Sequence, residues 1–291
     1  MEASVDLHQV ARSNAQYSVL APIENTINQT LREELSLDQA AIALTNSQRW
    51  ADLNMEVMDY SYLLFSVCLS KALAIPASSL YQARLMDLLR AIQQRPTPPE
   101  AMEEEPEIWA RMPDFWMQVS ELSNAKGLLE TECATKPASQ KMSVSEWANL
   151  HSFIANWHAG IANANPGDPS SGKYLKALQL FRHVLETPRR PQTVAQNLPA
   201  VAAWIVSSAG PGIRLNCQRK RGLGPRDFTR PQKGRGGDDV KIDEFYTGPD
   251  TWNLDRWDFW VKRLKELQGQ SELGPEACGA AQQALERMKM L

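Results

Sequence analysis

DRWDFWVKRLKEL, residues 255 to 267, sets two tryptophans and a phenylalanine among charged side chains. Trp257, Trp260, Val261, Leu264 and Leu267 stand at i, i+3, i+4, i+7 and i+10, a continuous apolar stripe on a helix. Asp258 and Lys262 lie on the other side, four apart in the acid-first order that supports a helix. Asn253 fits the N-cap, and Asp255 suits the positive first turn. The segment predicts a helix docked into a core by two rings, each burying on the order of 200 Å². Trp252 and Phe259, at the edge of the stripe, are the candidates for an exposed aromatic binding surface.

The same period recurs along the chain. Ile23, Ile27 and Leu31 follow Pro22, and Ser36 with Gln39 forms a capping box at the start of the next helix. Helices are predicted from about Asp52 to Leu73, closed by Pro76, and around Leu85, Leu88, Leu89 and Ile92, closed by Pro96. Ile108 to Leu122 carries Trp109, Phe115 and Trp116. Ser143 and Glu146 form a second capping box, ahead of a stripe of Trp147, Leu150, Ile154, Trp157 and Ile161. Further helices are expected at Tyr174 to Leu185, Thr193 to Ser208 and Pro275 to Met290, the last with proline in its first turn. Val240 to Tyr246 alone hints at extended chain. The fold class is all-α, a multi-helix bundle or array of about eight to ten helices with little or no β structure.

RPTPPEAMEEEPE, residues 95 to 107, combines four prolines with five glutamates and reads as an exposed linker. The organisation expected is a single helical domain over 1–291 with room for two lobes, 15–95 and 108–291, about a linker at 96–107.

At 291 residues, with 43% hydrophobic and 22% charged, the chain can bury a core without staples, which sets it apart from disordered and disulfide-built classes. Cys68, Cys133, Cys217 and Cys278 form no CxxC pair, so neither a disulfide framework nor a zinc site is indicated. Cys68 and Cys278 sit in apolar helical patterns as small core residues. The start, MEASVDLHQVARS, has no apolar core of signal-peptide length. Tyr62 to Ile75, the most apolar stretch, is interrupted by Ser66, Ser70 and Lys71 and falls short of the about 20 residues a bilayer requires. A cytoplasmic protein without membrane contact is expected.

The pattern GPDTWNLDRWDFWVKRLKEL, residues 248 to 267, has an RWxFWxxRL core, and AAxxALxxM follows from Ala280 to Met288. Together they resemble a fungal family of uncharacterised, mainly helical proteins, a domain of unknown function. The resemblance implies an intracellular helical protein of fungal origin and supplies no catalytic residue.

Several motifs give way to plainer readings. GDPSSGK, residues 167 to 173, satisfies GxxxxGK, yet Tyr174 stands where Ser or Thr would hold magnesium and the segment follows a helical stripe instead of a strand. It reads as a loop. DDVKIDE, residues 238 to 244, has the oxygen ligands of a magnesium-diphosphate site but a DDxxxD spacing in place of DDxxD. His151 and His158 are seven apart, about 10 Å along a helix, where direct ligation wants four. They read as structural histidines. His8 and His183 are isolated, and no GxSxG or HExxH is present. No metal site and no cofactor are predicted.

The basic loop, residues 212 to 237, is the strongest anomaly. Arg214, Arg219, Lys220, Arg221, Arg226, Arg230, Lys233 and Arg235 face Asp227 alone, a net +7 that leaves −10 on the rest of a chain whose total is −3. Five glycines from Gly222 to Gly237 make it a solvated segment by composition. It offers itself to an acidic protein partner, to nucleic acid, or as a nuclear import address at RKRG. Phe228 alone could stack a base, which disfavours single-strand recognition. The function expected is that of a non-enzymatic helical scaffold or protein-interaction protein. The alternative is a helical enzyme or small-molecule binder of fungal secondary metabolism, with magnesium-dependent diphosphate chemistry at DDVKIDE as a sub-case.

Overall fold

The computed structural model describes residues 14–103, 105–125, 142–164, 174–219, 245–246 and 252–291. Every regular element among them is helical, so the chain is all-α as its periodicity predicts. Two compact units divide it, and in the described chain the first runs through Ala125 and the second runs from Ser143 to Leu291.

The first unit holds α1 (Asn14–Leu31), α2 (Leu37–Leu44), α3 (Ser47–Asp52), α4 (Val57–Ala74), α5 (Leu80–Gln93), α6 (Ile108–Arg111) and α7 (Pro113–Ala125). Ser36 caps α2 reciprocally with Gln39, as its spacing predicts. Pro22, expected ahead of a helix, lies inside α1. The predicted helix from Asp52 to Leu73 is broken, because Asn54 adopts a left-handed φ of 52° between α3 and α4. Ile108 to Leu122 breaks likewise at Met112, with φ 48°, where Pro113 disfavours a helical residue before it and opens α7. Segment 96–107 belongs to this unit, and a 3₁₀ turn at Pro99–Ala101 buries Ala101 within it.

By length and composition α4 is apolar enough to cross a membrane, but 61% of it is buried inside the protein. Its polar residues are used in packing. Ser61 donates to Asp114 and Ser66 donates to Gln118, whose amide donates to the Tyr62 carbonyl at 2.9 Å. These bonds pin α4 to a parallel α7, and burial raises the Asp114 carboxyl above its ordinary pKa while the Ser61 bond lowers it.

The second unit holds α8 (Val144–Ala164), α9 (Leu175–Phe181), a π turn (Arg182–Glu186), α10 (Pro191–Val206), α11 (Gly210–Gln218), α12 (Leu254–Gln268) and α13 (Gly274–Met290). Ser143 and Glu146 make the predicted capping box. At the centre lies α10, packed between α8 and α13. Trp147 donates to Asn197 at 3.0 Å, Trp204 to His151 at 2.8 Å, and Ser208 to Asn156 at 2.6 Å. Partners advance together along both helices, so α8 and α10 run parallel with α9 in the crossover. A Cβ at Gly212 would fall 2.2 Å from the Tyr174 hydroxyl, so glycine permits that close approach of α11.

Candidate functional site

The RWxFW helix delivers what its stripe predicts and one thing more. Trp257, Trp260, Leu264 and Leu267 are buried, Trp260 is edge-on to Phe181 at 4.9 Å, and Asn253 caps the helix by accepting from the Arg256 backbone N–H at 2.7 Å. Arg256 is buried too, at 1% exposure, although it carries a charge. Its guanidinium meets Glu186, which is fully buried, through Nε to Oε1 at 3.0 Å and NH2 to Oε2 at 3.2 Å. The Trp260 indole donates to Glu186 Oε1 at 2.7 Å. Burial pushes the Glu186 carboxyl up, while Arg256, the indole and Arg182 pull it back. Arg256 also lies over the Tyr246 ring at 4.8 Å, and Tyr246 donates to Asn253 at 3.1 Å. Both carboxylate oxygens are thus engaged, and the cation has an ion partner and a ring face.

The described chain on both sides of the basic segment lies at this node. Arg214, expected in a solvated loop, belongs to α11, and its guanidinium sits 5.0 Å over Trp257. Arg219 is the exposed C-cap of α11. Beside them, Cys217 is buried against the start of α12, and burial pushes its thiol up to about 12, an inert state. The described chain resumes at Phe245, whose N–H donates to the Glu186 carbonyl at 2.6 Å and whose ring underlies Arg263 at 4.6 Å. Lys220, Arg221, Arg226, Arg230, Lys233, Arg235, the DDVKIDE motif and GDPSSGK lie outside the described residues.

Trp252 overturns an expectation. Placed by sequence at an exposed edge, it is fully buried and edge-on to Trp260 at 6.1 Å, immediately before the extended N-cap Asn253. Phe259 is half-buried, tilted on Tyr246 at 5.4 Å. Neither forms an open aromatic face with the other.

A second polar cluster lies between α8 and α10. The indole of Trp204 is only a donor, so His151 Nδ1 must accept, and the neutral ring carries its proton on Nε2. Burial, with a smaller contribution from the Lys176 charge, lowers the His151 pKa to about 3. Lys176 is itself shifted down by burial. His158 stacks on Trp204 with centroids 6.2 Å apart. Both histidine rings pack against Trp204. No group of three or more metal-ligating side chains occurs among the described residues.

Glu186, Arg256 and Tyr246 were missed by sequence reading. Arg256 stands three after Asn253 and four before Trp260, on the apolar face, and a lone charge in that position was the available signal. Glu186 carried none.

Two helical units, the second locked through a buried ion pair, define the molecule as an all-α protein. The chain belongs to the family described as "Protein of unknown function (DUF3632)", which matches it over residues 65–264. The match begins in α4 and ends in α12, taking in Glu186 and Arg256. No curated protein and no solved structure matches the chain.

Proposed function

We propose that this protein is a non-enzymatic interaction protein whose basic segment, residues 214–235, docks an acidic protein partner. One observation carries the reading: the described chain leaves for the segment at Arg219, the end of the helix whose Arg214 lies over Trp257, and returns at Phe245 on the Glu186 carbonyl. Six of the segment's eight cations lie between those two anchors. A buried, ion-paired node anchors the described chain on both sides of the charged segment, and long-range attraction to acidic surfaces follows from the segment's charge. The reading places the protein in the cytoplasm of a fungal cell, with RKRG, residues 219–222, available as a nuclear address.

The test compares the whole protein with a variant in which residues 220–235 are replaced by a short Gly-Ser linker, both titrated with a polyglutamate peptide and with duplex DNA. The expected result is peptide binding that weakens as salt rises and is lost in the variant. Equal binding by both proteins, or binding of DNA alone, overturns the reading.

A further inference from the structure

The first unit contains a cavity of about 160 Å³ whose lining includes Ile23, Leu44 and Leu53, with Arg49, Asp52 and Tyr60 supplying the polar groups. It lies ahead of the family match and is independent of the basic segment. Tyr60 is 1% exposed, and its hydroxyl is buried without a hydrogen-bond partner. Buried hydroxyls in folded proteins are almost always paired, and leaving one unpaired is costly. Trp50 covers the Tyr60 ring with centroids 5.5 Å apart, so packing holds the ring in place without that bond.

Arg49 donates through Nε to the Ala43 carbonyl at 3.2 Å, and among the described residues no carboxylate lies within ion-pair distance of it. Asp52, exposed at the mouth, accepts from the Gln48 amide at 2.5 Å and leaves the guanidinium unneutralised. Two donor-bearing residues, one of them cationic, therefore line a mixed pocket of the size that elsewhere holds a benzene-sized molecule, about 150 Å³. Burial raises the Tyr60 pKa, which keeps the hydroxyl protonated and a donor at neutral pH.

We infer that this cavity binds a small carboxylate on a short branched or aromatic body, its oxygens taking hydrogen bonds from the Tyr60 hydroxyl and the Arg49 guanidinium and its apolar end packing on Ile23, Leu44 and Leu53. The carboxylate belongs either to a simple acid or to an apolar amino acid whose ammonium reaches Asp52.

Titration calorimetry of the full chain with 4-methylpentanoate, leucine and isoamylamine distinguishes these sources. Binding of 4-methylpentanoate with leucine equal or weaker assigns a simple acid, and tighter leucine binding that Asp52→Asn removes assigns an amino acid. Isoamylamine, which lacks the carboxylate, does not bind. Tyr60→Phe removes only the unpartnered hydroxyl, so the variant folds, and its affinity for the preferred acid falls tenfold or more, as does that of Arg49→Gln. If neither acid binds, if isoamylamine binds as well as they do, or if both variants bind like the parent protein, the cavity holds only water and the inference fails.

Discussion

Two buried polar sites, one in each unit, are built in opposite ways. In the second, Glu186 is fully buried and meets Arg256 and the Trp260 indole, and Arg256 in turn meets Tyr246. In the first, the Tyr60 hydroxyl is buried beside a cavity and meets nothing. Burying a charge is tolerable only when it is paired and hydrogen-bonded, so the Glu186-Arg256 arrangement reads as a fastening. An unpaired donor on a cavity wall is a vacancy for an acceptor. Partnering, more than residue type, separates the structural node from the candidate binding site.

Breaking the fastening should produce the largest effects. Trp260→Ala removes a buried ring and the indole bond to Glu186, and a loss of about 3 to 5 kcal/mol is expected in denaturant unfolding. Trp252→Ala, at an equally buried ring, should cost a similar amount. Phe259→Ala, at a half-buried ring, should cost clearly less. Arg256→Leu leaves the Glu186 charge without its cation and should cost about 3 to 5 kcal/mol. Adding Glu186→Leu should recover much of that loss, since an apolar pair carries no uncompensated charge. A double variant as unstable as the sum of its parts would show that the pair is not a unit.

His151 gives a smaller effect with a definite sign. Its folded pKa is depressed to about 3, against about 6.5 in the unfolded chain, so between those values the unfolded chain holds the extra proton. The stability it contributes is complete above pH 6.5 and is lost as pH falls through that window, at up to about 1.4 kcal/mol per pH unit. Unfolding measured from pH 7 to pH 4.5 should show this slope, and His151→Gln should flatten it. A slope unchanged in the variant would place the proton uptake elsewhere.

The sequence made the helices legible wherever a stripe and a cap coincided. Residues 253–267 carried both, and so did the capping boxes at Ser36 and Ser143. Breaks were less legible, because Asn54 and Met112 take left-handed conformations that few residues announce. Family membership was anticipated from the carboxyl-terminal pattern, and the match over 65–264 establishes it. The node was hidden for a physical reason. A π turn winds an extra residue after Phe181, so Glu186 leaves the register that the α-helical stripe through Leu185 implies and turns inward. Its partner is 70 residues away, a separation that no local period reports. The Tyr60 cavity was equally hidden, since no motif records the lack of a partner.

Unfolding Glu186→Gln and Tyr60→Phe side by side, by denaturant titration without added ligand, tests the central contrast most directly. Each substitution changes one buried polar group and little volume. The midpoint of Glu186→Gln should fall, reflecting a stability loss of about 3 to 5 kcal/mol for stranding the Arg256 charge, while that of Tyr60→Phe should hold or rise. A Tyr60→Phe midpoint that falls as far as that of Glu186→Gln would mean the hydroxyl is already partnered within the fold, and the contrast between the units would be gone.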